Sequence, residues 1–173
     1  YHEIPEKLDP FDTETFEKNP VEFYVVGTDV TTGKAVYHKC TNGKDKDLEW
    51  FRASASMPLL SNIVEVDGYR LLDGGIADSI PIEWFRSIGY ERNIVILTRD
   101  KTYRKKKNKM IPLFKTVLHK YPEVARAMKQ RHVIYNQELL QVEEQEKCGK
   151  ALVIRPSEPI TISRTENDPE KLE

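Results

Sequence analysis

The stretch Tyr69-Arg70-Leu71-Leu72-Asp73-Gly74-Gly75 joins a short apolar strand to a carboxylate and two glycines. Two glycines let the backbone turn through conformations that other residues avoid, and they bring amide N–H groups close to the carboxylate. Asp73 would then be held rigidly at a strand end, with room for a substrate beside it. Because Asp-Gly is also a common turn signal, the stretch gains a chemical meaning only from the segments around it.

The residues just before this stretch predict that a β-hairpin delivers Asp73. Apolar runs over 63–66 and 69–72 flank Asp67-Gly68, the dipeptide that a two-residue type I′ turn prefers. The second run ends at the carboxylate. Asp73 is therefore expected at the open end of the hairpin.

A first hairpin is predicted farther upstream, from a β-rich run over 23–30 and a second run over 34–40. The first run is almost continuously apolar, which is typical of a strand buried on both faces. We interpret Asp29, just before the turn, as a residue that bonds local amides rather than as a second functional acid. A short helix that ends at Pro58 is expected between the two hairpins.

The rest of the chain alternates helices and strands without an internal repeat, which predicts an α/β fold. The expected elements are a helix that starts near Pro81 and ends before Gly89, a buried strand over 93–98, a long helix over about 122–147 and a strand over 151–154. Residues 1–20 show no periodicity and are expected to form an irregular opening segment, and residues 161–173 a polar C-terminal tail.

Composition predicts one globular domain, because 173 residues with 39% hydrophobic content can build a sizeable core. The net charge of −1 provides no global field, so no nucleic-acid partner is expected.

The two cysteines, Cys40 and Cys148, lie far apart and without Cys/His ligand spacing, which argues against a zinc site or a disulfide framework. His38 is expected to be a packing or surface residue rather than a metal ligand. This cysteine usage makes a reducing, cytoplasmic setting the expectation. No run approaches the ~20 apolar residues of a membrane span, so an integral membrane protein is not expected.

A basic run over 99–109 carries seven positive residues against one acid, a local charge of +6. Such a run is either a solvated loop or a contact surface for anionic lipid, where each basic residue contributes about 1 kcal/mol. The residues expected to make that transient membrane contact are Arg104, Lys105, Lys106 and Lys107. The single aromatic residue, Tyr103, is too few for a platform that stacks single-stranded nucleic acid.

Three segments together resemble the patatin-like phospholipases, in particular their bacterial cytoplasmic members. These are 26–33 (VGTDVTTG), 52–58 (RASASMP) and 72–75 (LDGG), the last followed by Ile80-Pro81. Their order and separations match the second half of that domain. The resemblance implies that residues 21–160 are the C-terminal portion of a three-layer α/β/α sandwich, with β-hairpins feeding a central sheet.

The resemblance also implies hydrolysis of a lipid or acyl ester by a Ser-Asp dyad, with no histidine and no cofactor. The family's serine lies in a Gly-x-Ser-x-Gly elbow, and its oxyanion hole comes from an upstream glycine-rich loop. The family's base is the aspartate of Asp-Gly-Gly, a role that falls here to Asp73, with Gly74 and Gly75 as the motif glycines. A carboxylate can activate a serine hydroxyl directly if it lies within hydrogen-bond reach.

This chain departs from the family pattern because no two of its eight glycines are four residues apart, so it contains no Gly-x-Ser-x-Gly elbow. The chain is expected to supply the base alone, to be inactive by itself and to need the missing N-terminal half of its parent protein. Ser54 and Ser56 lack flanking glycines and are interpreted as packing residues near the Asp73 hairpin. The alternatives are a noncatalytic module that binds anionic lipid or nucleic acid through the basic run, and a half-domain that self-associates through a sheet edge.

Overall fold

The structure, a computed structural model, describes residues 7–160 together with Glu3 and Asp168. Apart from Asp168, the predicted polar tail 161–173 lies outside the described residues. The chain divides into two units: unit 1 comprises residues 1–80 and 106–135, and unit 2 comprises 81–105 and 136–173. The elements in chain order are α1 (Thr13–Lys18), β1 (Phe23–Asp29), β2 (Ala35–Cys40), α2 (Lys46–Ser54), β3 (Val64–Val66), β4 (Tyr69–Asp73), α3 (Ile82–Ser87), β5 (Asn93–Ile96), α4 (Ile111–Val117), α5 (Pro122–Lys147) and β6 (Ala151–Ile154).

Unit 1 contains a four-stranded antiparallel sheet in the order β2-β1-β4-β3. Both predicted hairpins are confirmed, as β1 with β2 and β3 with β4. Strands β1 and β4 pair with each other inside the sheet, where Gly27 lies opposite Asp73 and Thr28 opposite Leu72. Asp73 is therefore held at the end of an inner strand.

The two leucines before Asp73 anchor β4 on both of its faces, because successive side chains of a strand point in opposite directions. Leu71 packs with Trp50 of α2 and with β3 residues, whereas Leu72 packs with Phe114 of α4 and Met128 of α5. Both leucines are at most 1% exposed. The strand that carries the carboxylate is thus fixed by two separate apolar clusters.

The Asp67-Gly68 turn has the predicted type I′ character, since φ is +49° at Asp67 and +80° at Gly68. The Asp67 carboxylate pairs with Lys46 Nζ at 2.6 Å and accepts the indole N–H of Trp50 at 3.0 Å. The hydrogen bond from Lys46 lowers the pKa of Asp67 most, and the hydrogen bond from Trp50 lowers it further.

Replacing Asp67 by Ala is expected to destabilise the chain by about 1–3 kcal/mol, because the indole N–H of Trp50, which is 2% exposed, loses its acceptor. Alanine also tolerates the positive φ poorly, whereas the control Asp67→Asn keeps both an acceptor oxygen and the turn. Since the carboxylate pKa is lowered, its contribution is full above about pH 4 and disappears as the pH falls further. Urea unfolding at several pH values measures both effects, and equal midpoints for wild type and Asp67→Ala would contradict this account.

Unit 2 contains a two-stranded parallel sheet, in which Asn93 of β5 lies opposite Ala151 of β6. The prediction of a buried strand over 93–98 is wrong for half of its residues. Ile94 and Ile96 are 68% and 72% exposed, while Val95 and Leu97 are buried. The apolar run is covered on one face only among the described residues.

Two further expectations differ from the structure, and one helix was not predicted. The opening segment 1–20 is not wholly irregular, because Asp12 accepts the Thr15 N–H and caps α1. Helix α4 follows the basic run and was not predicted. The α/β class is confirmed, but the strands form two sheets rather than one central sheet. Among the described residues, no helix is both long and apolar enough to cross a bilayer.

Candidate functional site

Hydrogen bonds hold Asp73 through its backbone and through one oxygen of its carboxylate. Its N–H donates to the Ser56 carbonyl at 2.8 Å, and its carbonyl accepts the Thr28 hydroxyl at 2.8 Å. Its Oδ1 accepts the Gly75 N–H at 2.7 Å, so that Asp73 caps the short 3-10 turn Gly74–Ile76. The other oxygen, Oδ2, has no hydrogen-bond partner among the side chains and backbone groups that the structure describes, and it remains an acceptor.

The two glycines provide space rather than an unusual backbone, because neither has a positive φ, contrary to the expectation from their flexibility. A Cβ at Gly74 would lie 2.3 Å from the carbonyl oxygen of Val26. A Cβ at Gly75 would lie 3.0 Å from Asp73 Oδ1 and 3.3 Å from a guanidinium nitrogen of Arg131. Gly74 therefore permits the close approach of β1, and Gly75 permits the close approach of Asp73 Oδ1 and Arg131.

Arg131, on the part of α5 that belongs to unit 1, is a site residue that the sequence analysis missed. Its Nε donates to the Gly75 carbonyl, which also accepts the Ser79 hydroxyl at 2.8 Å. These two hydrogen bonds fix the Gly-Gly turn through the Gly75 carbonyl. Arg131 lies 56 residues from Gly75 in sequence, so no local pattern could have pointed to it.

Ser54 and Ser56 are not arranged as nucleophiles in this structure. The Ser56 hydroxyl donates to the Arg52 carbonyl at 2.7 Å, and the residue is 4% exposed. Its carbonyl holds the Asp73 N–H, which fits the predicted packing role beside the hairpin. Ser54 is the last residue of α2 and is half-buried.

Asp29 is a turn residue, as predicted. Its Oδ1 accepts the Thr31 N–H at 3.1 Å and its Oδ2 accepts the Thr32 hydroxyl at 2.8 Å. Both oxygens thus bond the turn between β1 and β2.

The four basic residues expected at a lipid surface differ in their surroundings. In unit 2, the Arg104 guanidinium pairs with Glu143 at 2.9 Å and bonds two loop carbonyls. The backbone N–H of Lys105 donates to the Asn136 side chain at 2.8 Å. In unit 1, Lys106 and Lys107 are exposed. The Arg104 side chain is therefore held by an ion pair although it is 44% exposed, and the two unit 1 lysines are exposed as well.

Metal-ligating side chains do not gather in threes around Asp73 in the described part of the chain. Such a group occurs instead in unit 1 at His38, Cys40 and Asp47. The site at Asp73 is thus a single carboxylate with a free oxygen, a fixed turn and a neighbouring guanidinium.

Two segments of the chain match known family models. Residues 121–173 match a domain of unknown function (DUF6363), and residues 3–85 match the patatin-like phospholipases, a family of lipid hydrolases. No curated protein matches the chain. Arg131 lies in the first of these segments and Gly75 in the second, so the two segments meet at the Asp73 turn.

The patatin match runs from the opening segment through β4 to α3. It is the N-terminal part of this chain, whereas the sequence analysis had assigned residues 21–160 as a whole to the C-terminal half of the family domain. The quoted segments 26–33, 52–58 and 72–75 all lie inside it. Over residues 3–85, slightly less than half of its length, the chain is similar to the patatin-like phospholipase family.

Proposed function

We propose that this chain contributes Asp73 as the general base of a serine-dependent lipid acyl hydrolase, a phospholipase or esterase, whose serine lies outside the chain. The observation that carries the proposal is the carboxylate itself, with Oδ1 fixed by the Gly75 N–H and Oδ2 free of partners among the described residues. One oxygen sets the orientation, and the other can accept a proton.

In the proposed reaction, Asp73 Oδ2 takes the proton of the serine hydroxyl as the serine oxygen attacks the ester carbonyl carbon. The protonated carboxyl then returns this proton to the departing alcohol, which leaves an acyl-enzyme. The same carboxylate then takes a proton from water as the water oxygen attacks the acyl-enzyme, and it returns that proton to the serine oxygen as the acid leaves. The carboxylate must stay in one place through all four proton transfers, which suits its fixed backbone.

Arg131 serves in this scheme as a positioning residue. Its Nε holds the Gly75 carbonyl, and Gly75 in turn holds Asp73 Oδ1 through its N–H. The carboxylate orientation therefore depends on one residue from each of the two matched segments.

The chain alone is expected to be inactive, because its sequence has no Gly-x-Ser-x-Gly elbow and the Ser56 hydroxyl is bonded elsewhere. Hydrolysis of p-nitrophenyl butyrate should be undetectable with the 173-residue chain and should appear when the chain is joined to the upstream half of its parent protein. A fluorophosphonate probe for reactive serine should label only the upstream half. Turnover by the chain alone, with label on one of its own serines, would overturn the proposal.

The family match does not favour the alternative of a noncatalytic binding module. Contact with an anionic membrane surface remains a prediction for the basic run, in which Arg104, Lys106 and Lys107 are exposed and Lys105 is half-buried. Such contact would assist a hydrolase whose substrate is a lipid.

A further inference from the structure

Three side chains of different metal-ligating types meet on unit 1, away from the residues that hold Asp73. His38 and Cys40 lie on β2, and Asp47 lies in the first turn of α2. Their ligand atoms all lie within 4.8 Å of one another. Residues 38 and 40 are two apart on a strand and point to the same side, which brings them to the start of the helix.

Neighbouring groups orient each of these side chains. The His38 ring stacks on Trp50, with ring centroids 4.5 Å apart and planes nearly parallel. Asp47 Oδ2 accepts the N–H groups of Thr41, Asn42 and Gly43 at 2.7–2.9 Å, which leaves Oδ1 directed at His38 Nε2, 2.8 Å away. Hydrogen bonds that fix a carboxylate in this way are typical of the groups surrounding metal ligands.

A His38–Asp47 pair with a purely structural role would not need Cys40. The His38–Asp47 hydrogen bond and the three amides satisfy Asp47 completely without a thiol. Cys40 is 5% exposed, and burial, with a smaller effect of the Asp47 charge, raises its pKa to about 12. In the metal-free chain this sulfur is therefore a protonated thiol, placed beside a carboxylate and an imidazole.

We infer that His38 Nε2, Cys40 Sγ and Asp47 Oδ1 bind a single divalent transition-metal ion of the zinc type. Sulfur, imidazole and carboxylate ligands together suit zinc and exclude magnesium and calcium, which prefer oxygen ligands. The thiolate and the carboxylate balance the charge of the ion. A water molecule takes the fourth tetrahedral position, on the side of His38, whose side chain is 21% exposed.

Binding replaces one hydrogen bond by three metal-ligand bonds. The Cys40 thiol releases its proton to solvent, and His38 binds as a neutral ring that carries its proton on Nδ1. Zn–N and Zn–O bonds of about 2.0–2.1 Å put such atoms roughly 3.3 Å apart, so the 2.8 Å His38–Asp47 contact must open only slightly. The ion would fasten the end of β2 to the start of α2. This inference does not depend on the hydrolase proposed above.

The test is a titration of the metal-free 173-residue chain with Zn²⁺, and with Co²⁺ as a spectroscopic probe. The wild type should bind one Zn²⁺ and unfold at a higher temperature with it. Its Co²⁺ complex should show a thiolate-to-cobalt charge-transfer band in the near ultraviolet. Cys40→Ser should abolish that band and weaken Zn²⁺ binding at least tenfold, and His38→Gln should weaken it similarly. The matched control, Cys148→Ser at the exposed cysteine, should behave as the wild type.

Three outcomes would overturn the inference: no Zn²⁺ binding by the wild type, unchanged affinity in Cys40→Ser, or loss of the cobalt band in Cys148→Ser. Circular dichroism of each variant checks that it is folded. If Cys40→Ser fails to fold, the wild type still decides, because a cobalt complex without the charge-transfer band contradicts a Cys40 ligand.

Discussion

Asp73→Asn is expected to lower kcat for ester hydrolysis by about 10²–10⁴-fold in the protein that joins this chain to its upstream half. Asparagine has nearly the shape of aspartate, and its amide oxygen can still accept the Gly75 N–H that Oδ1 accepts now. Its amide nitrogen, in the place of Oδ2, cannot accept the serine proton. The variant thus removes the base while it preserves the turn.

The matched control is Asp78→Asn, which changes a second half-buried carboxylate only five residues away. Asp78 accepts the Tyr37 hydroxyl and has no role in the proposed proton transfers. Its replacement should leave kcat within a few-fold of the wild type, and neither variant should shift the thermal unfolding temperature by more than a few degrees. Measuring kcat and KM separately on p-nitrophenyl butyrate distinguishes the roles. If Asp73→Asn raised KM at constant kcat, or matched Asp78→Asn, Asp73 would not be the base.

Local signals in the sequence were sufficient to predict the hairpin that carries Asp73. Asp67-Gly68 specifies a turn with two positive φ values, and those values are present. The alternation that buries Leu71 and Leu72 on opposite faces follows from the strand itself. The glycines were expected for their backbone flexibility, but Gly74 is required because β1 approaches it closely. A local turn signal in the sequence cannot reveal such a contact.

The parts of the site that could not be predicted depend on contacts distant in sequence. Arg131 reaches the Gly75 carbonyl only because α5 packs against β4 within unit 1. Likewise, the apolar run of β5 could not show whether one face or both would be covered, and Ile94 and Ile96 proved exposed.

The His38, Cys40 and Asp47 group was missed for a related reason. The spacings typical of zinc sites place cysteines or histidines in close pairs, and the single His-x-Cys step on β2 does not stand out among them. The Asp47 side chain also folds back on the loop before the helix, and this places its carboxylate beside the strand.

Gly74→Ala is expected to destabilise the chain by at least about 3 kcal/mol, as an insertion into closely packed backbone. The new Cβ would lie 2.3 Å from the Val26 carbonyl oxygen and 2.6 Å from its carbon, and neither atom can rotate away. Either β1 or the turn must move, and Gly27 and Asp73 pair directly at this place. Urea unfolding of the 173-residue chain measures the loss.

Gly27→Ala, on the strand opposite, is the control that separates a backbone clash from the general effect of adding a methyl group. Its Cβ would meet only the Leu71 side chain, at 3.3 Å, and that side chain can adjust, so the expected loss is about 1 kcal/mol. Equal losses for the two variants, or a wild-type midpoint for Gly74→Ala, would show that β1 does not press on the turn. A much larger loss for Gly74→Ala would mean that the strand pairing which stabilises unit 1 also fixes the position of the Asp73 carboxylate.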